Sequence, residues 1–194
     1  QEGGTLNATL TSVVDADGAT TTAWQWQISN DGSTGWTNLA GATSASYAIA
    51  SDQSQVGKYL RVVATTTDAL GGTTTFTGNA SAQIANINDL PTGSVTISGT
   101  ATQGQVLTAA NTLADADGLG TIAYQWKANG TAITGATAST YTLTQAEVGK
   151  TITVTASYTD GYNTAESMTS NATTAVANVD DTATGTLGVT GTAQ

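Results

Sequence analysis

The chain has 194 residues, no Cys and no His, with four cations (Lys58, Arg61, Lys127, Lys150) set against fourteen carboxylates, for a formal net charge of −10. Disulfide staples, thiolate zinc sites and Ser-His or Cys-His catalytic pairs are thereby excluded, and four scattered cations are a poor match for a phosphate backbone. No apolar run reaches the roughly 18 residues that would span a bilayer, and no signal-peptide pattern is present.

Taken in chain order, the residues repeat themselves. Val13-Val14-Asp15-Ala16-Asp17-Gly18 is answered by Leu113-Ala114-Asp115-Ala116-Asp117-Gly118, and Ala23-Trp24-Gln25-Trp26 by Ala123-Tyr124-Gln125-Trp126. Gly41-Ala42-Thr43 returns as Gly135-Ala136-Thr137, Tyr47 as Tyr141, and Val56-Gly57-Lys58 as Val148-Gly149-Lys150. Thr67-Asp68 matches Thr159-Asp160, Asn79-Ala80 matches Asn171-Ala172, and Asn86-Ile87-Asn88-Asp89 matches Asn178-Val179-Asp180-Asp181. The offset falls from 100 to 92 along the chain, so the first repeat carries extra residues, chiefly in the loop Ser29 to Asn38. Drift confined to loops is expected where each repeat is one supersecondary unit.

Inside each repeat the apolar period is two. Leu60, Val62 and Ala64 share a face, as do Ile122, Tyr124 and Trp126, and Ile152, Val154 and Ala156, with Gln125, Thr153 and Thr155 turned to solvent. Turn signals at Asp17-Gly18, Asp31-Gly32, Asn129-Gly130 and Asp160-Gly161 interrupt the strands at sandwich spacing. β-branched Thr, about a fifth of the chain, suits half-exposed strands. The fold class expected is all-β: two tandem immunoglobulin-like antiparallel β-sandwich domains, over residues 1–89 and 90–181.

A linker, Asn86 to Pro91, precedes Thr92 to Ala101, which reads as the first strand of repeat two. Residues 182–194 hold the same strand again, Thr184-Gly185-Thr186-Leu187-Gly188-Val189-Thr190-Gly191-Thr192-Ala193-Gln194, as the opening of a following repeat. Repeat one begins past its own first strand. Two explanations stand side by side: an arbitrary segment of a longer array, or head-to-tail complementation in which Thr186, Leu187, Val189 and Thr190 complete the open sheet of another copy.

The set Tyr124-Gln125-Trp126, Asn129-Gly130, Ile133, Gly135-Ala136-Thr137, Tyr141-Thr142-Leu143 and Val148-Gly149-Lys150 resembles the bacterial immunoglobulin-like repeats of giant repetitive surface adhesins, of the RTX-type and cadherin-like extender kind. The resemblance implies a secreted or cell-surface stalk or filament module built of many copies in series, with no catalysis. The alternative is a glycan- or protein-binding accessory module. Its best carrier is Trp36, in the one loop that breaks the repeat, although Trp36 also suits a hairpin cap. Trp26 and Trp126 are expected in the core, as the buried Trp of such sandwiches.

The acids cluster. Asp115, Asp117, Asp160, Asn88 and Asp89 would gather at one pole of repeat two, Asp15, Asp17 and Asp68 at a pole of repeat one, with Asp180 and Asp181 at the far end. Ca²⁺, which takes six to eight oxygens, suits such convergence, and the resemblance implies calcium at junctions. Asp-Ala-Asp-Gly is equally good turn chemistry, and neither a full cadherin linker nor an EF-hand loop is present. Both readings remain open from sequence; the four Asn-x-Ser/Thr sequons (Asn7, Asn79, Asn129, Asn171) are what chance gives in so Thr-rich a chain.

Overall fold

The computed structural model describes residues 1–18 and 20–192; Ala19, and Ala193 and Gln194 at the end of the last expected strand, lie outside the described residues. The chain divides into two compact units, Gln1–Asp89 and Leu90–Gln194.

Unit 1 is built from β1 (Thr5–Asn7), β2 (Thr21–Ser29), β3 (Thr37–Asn38), β4 (Ser46–Ala48), β5 (Tyr59–Thr67) and β6 (Thr73–Thr77). They form two antiparallel sheets, one of β1 and β4 and one ordered β3-β2-β5-β6. The period-two reading of β5 holds: Leu60, Ala64 and Thr66 are buried on one face while the residues between them are half-exposed. Trp26, Ile49, Leu60 and Ile84 make the core cluster.

Unit 2 repeats the plan with β7 (Val95–Ser98), β8 (Val106–Asn111), β9 (Ala123–Ala128), β10 (Thr131–Ala132), β11 (Thr140–Thr142), β12 (Ile152–Thr159) and β13 (Ala165–Thr169). Its sheets are β11-β8-β7 and β10-β9-β12-β13, again antiparallel. Both sheets feed one core. Val95, Leu107 and Ala109 come from the first, and Trp126, Ile152, Val154, Ala156 and Tyr158 from the second.

One device is built twice. The Trp126 indole lies in the core and donates to the Ala138 carbonyl at 2.9 Å; Trp26 does the same to Ser44 at 2.9 Å. A buried indole N–H needs such a partner. Each ring leans on a tyrosine, Trp26 on Tyr47 at 5.6 Å and Trp126 on Tyr141 at 6.0 Å, both at 31°. Ahead of each Trp a glutamine amide reaches over its hairpin. Gln25 donates to Leu39 at 2.8 Å and Gln125 to Ile133 at 2.9 Å. Gln125 is therefore half-buried and bonded to the hairpin, not simply turned to solvent, because its long side chain folds back onto the Trp126 and Ile133 carbonyls.

Asn129-Gly130 turns β9 into β10 with both residues left-handed, φ 46° and 80°, as a two-residue hairpin requires. Asp160-Gly161 works differently. It opens the loop to β13, where Asp160 accepts from the Tyr162 and Thr164 amides at 2.8 Å each and Asn163 takes the left-handed conformation at φ 68°.

Residues 182–192, expected as a strand, form none. Leu187 and Val189 stand 99% and 96% exposed. A strand needs a neighbour for its backbone donors and acceptors, and this segment has none within the described chain.

Candidate functional site

The acidic residues sort into three kinds of place. In unit 1 the turn after β1's extension carries Asp15 and Asp17, and the β5–β6 turn carries Asp68. One carboxylate oxygen from each lies within 4.8 Å of the other two. Each turn is also held by its own acid: Asp15 accepts from the Asp17 amide at 2.9 Å, and Asp68 from the Leu70 and Gly72 amides at 2.7 and 2.9 Å. Three carboxylates so close repel one another, and a hard divalent cation is the ligand their oxygens suit.

In unit 2 the same turns are arranged otherwise. Tyr158, standing where unit 1 has Thr66, donates its phenol to Asp115 at 2.5 Å. Burial first, then the neighbouring Asp115, Glu166 and Asp160 charges, push that phenol far above its usual range. Asp117 and Asp160 are buried, at 4% and 6% exposure, and Oδ2 of Asp160 has no hydrogen-bond partner among the described residues.

The third kind ties each unit's exit segment back to the body of that unit. In unit 1 buried Glu2 accepts from the Ile87 amide at 2.6 Å, and Gln53 donates to Asp89 at 3.2 Å. In unit 2 Gln103 accepts from the Val179 amide at 3.2 Å and donates to Asp181 at 2.9 Å. Asn88 and Asp180 are exposed.

Trp36 is half-buried. Its indole donates to the Ser33 carbonyl at 3.3 Å, and the Arg61 guanidinium lies 4.3 Å from its ring centroid. Arg61 in turn donates to Gln27 at 2.7 Å. The loop beneath it is organised by Asp31, whose carboxylate accepts from the Ser33 and Thr34 amides and from the Thr34 and Ser29 hydroxyls. Those bonds, led by the one from the Thr34 hydroxyl, hold the acid well below the usual carboxylate range.

A feature that motif reading does not reach lies beside β1. There unit 1 has a cleft of about 330 Å³ lined by Leu6, Ala8, Trp26, Leu60, Val62 and Asn79, among others. Among the described residues β1 is bonded on one side only, by β4, and its ladder stops at Asn7. In unit 2 the corresponding strand β8 runs on to Asn111, because β7 pairs with it over Thr108 to Asn111.

No protein-family model and no curated protein sequence matches this chain.

Proposed function

We propose that the chain is a structural extender: two tandem immunoglobulin-like β-sandwich modules from a stalk or filament of a secreted or cell-surface bacterial protein, acting without catalysis. The observation that carries the reading is the duplicated Trp–Tyr–Gln device, together with a duplicated polar tie that fastens each unit's exit segment back to the body of that unit. Repeating the same internal architecture serves length and stiffness, whereas a reaction needs one site only. High negative charge keeps neighbouring copies soluble and apart.

Within this reading calcium is a stiffener, bound weakly at Asp15, Asp17 and Asp68. Trp36 serves as a hairpin cap, its face taken by Arg61. Small-angle scattering of the chain in calcium and in EDTA, alongside a glycan-array screen, tests the proposal. An elongated particle with no glycan bound is the expected result. A compact particle, or a ligand lost with Trp36→Ala, would replace the extender by a binding module.

A further inference from the structure

We propose that β6 of unit 1 is a docking edge for a second copy of this chain. Two β6 strands pair antiparallel about a two-fold axis through Thr75 and join two four-stranded sheets into one. The pairing rests on the edge of that sheet and not on the extender role.

The open side belongs to the plan of the sheet. β6 closes the order β3-β2-β5-β6 and among the described residues is bonded by β5 alone. β13, its counterpart in unit 2, ends its own sheet in the same way although β7 to β12 all precede it. The backbone groups of β6 can be sorted from the ladder. Asp68 donates to the Gly72 carbonyl at 3.0 Å and Gly78 to that of Val62 at 2.8 Å, so the bonded pairs between them are Thr66–Thr74 and Ala64–Phe76. The N–H and C=O groups of Thr73, Thr75 and Thr77 therefore point away from β5, off the edge. The side chains of the same three residues stand on the solvent face, opposite Thr67, Thr65 and Val63.

Three features fit this edge to itself. It is unguarded: no Lys, Arg, Asp, Glu or Pro occurs from Ala69 to Asn88, and the register with β5 runs without a bulge. β13 keeps a guard, since Glu166 stands at the place of Thr74. A partner rich in cations would find no counter-charge along β6, whereas a second neutral β6 meets no repulsion. The residues also suit a two-fold. With Thr75 opposite Thr75, Thr73 falls opposite Thr77, so every hydrogen-bonded pair matches Thr with Thr. Phe76, the one Phe of the chain and 38% exposed, then meets Thr74 in the closer non-bonded pairs and is covered there. Finally, antiparallel pairing sets the acidic turns of Asp15, Asp17 and Asp68 at opposite ends, each beside Gly78 of the other copy. An edge of five residues buries less than a standard interface, so the pairing is weak and takes hold at high local concentration.

Sedimentation velocity of the full chain, from micromolar to near-millimolar, tests the pairing by charge exchange at Thr75. The unaltered chain is expected to show a reversible monomer–dimer equilibrium. Thr75→Lys alone and Thr75→Glu alone, each setting like charges face to face across the two-fold, should weaken it about tenfold or more. An equimolar mixture of the two variants should dimerise again. Thr75 is exposed and its N–H and C=O take no part in the β5 ladder, so both variants keep the fold, as circular dichroism checks. A monomer at every concentration overturns the proposal. So does a dimer that either variant leaves intact, which would place the contact elsewhere, and so does a mixture that stays monomeric. A compact shape or a glycan ligand, the failures of the extender reading, is read from dilute monomer and moves none of these results.

Discussion

Units 1 and 2 share a plan and differ by one strand, and the consequences of that strand can be traced residue by residue. With β7 in place, β8 is a six-residue strand, Ala109 is buried and Leu113 is 7% exposed. In unit 1, β1 has three residues, Ala8 and Leu10 are only half-buried, and Val14 stands 93% exposed. The core cluster of unit 2 correspondingly extends from Val95 to Val176, while that of unit 1 contracts to Trp26, Ile49, Leu60 and Ile84. An edge strand thus sets the depth of burial on both sheets, by pairing with its neighbour and by roofing the slot between them.

The largest expected effect comes from the paired tryptophans. Trp126→Ala should cost unit 2 about 3–5 kcal/mol, whereas Trp26→Ala, beside an already open cleft, should cost unit 1 less. Urea titrations of the two variants measure the gap, and equal losses would break the comparison. Next, Val95→Ala should lower unit 2 by about 2 kcal/mol and loosen Ala109 to Asn111, moving unit 2 towards the state of unit 1. Amide exchange at those three residues reports it.

A smaller contrast lies in acid sensitivity. Glu147 of unit 2 accepts from the Thr144 amide and hydroxyl at 2.9 and 2.7 Å, whereas its counterpart Gln55 holds the Ala50 amide and the Tyr47 hydroxyl with a neutral group. Burial opposes ionisation of Glu147, but the bonds from Thr144 and Tyr141 and the charge of Lys150 outweigh it, so its pKa falls below the ordinary 4.5. A depressed carboxylate stabilises the fold above its unfolded pKa, and that stability drains away as pH falls through the folded value. Glu147→Gln should therefore cost about 1–3 kcal/mol at neutral pH and flatten the loss of unit 2 stability below pH 4.5, as thermal melts across pH 2 to 7 would record.

The smallest effect concerns the carboxylates of unit 1. Millimolar Ca²⁺ should stabilise unit 1 by about 0.5–1.5 kcal/mol through Asp15, Asp17 and Asp68, and EDTA or Asp68→Asn should remove the gain. Titration calorimetry showing no heat would leave these acids as turn formers.

The strands, the repeat and the buried Trp were legible in sequence because period-two burial and turn chemistry are local, and because two copies confirm each other. Trp26 and Trp126 could be read as core from their neighbours alone. The acidic site was legible only in part. Asp15, Asp17 and Asp68 come together across a sheet end, but Asp115 is claimed by the Tyr158 phenol and Asp89 and Asp181 accept from glutamine amides. Such partners arrive from distant positions that no spacing rule encodes. Residues 182–192 show the reverse: their pattern is that of a strand, but a pattern cannot supply the neighbour that a strand requires.

Amide hydrogen exchange at Ala8, Thr9 and Leu10, set against Ala109, Ala110 and Asn111, tests the central claim most directly. The first three should exchange rapidly and the second three slowly, because β7 pairs with the second set. Equal protection would contradict β7 pairing as the source of the difference between the two units.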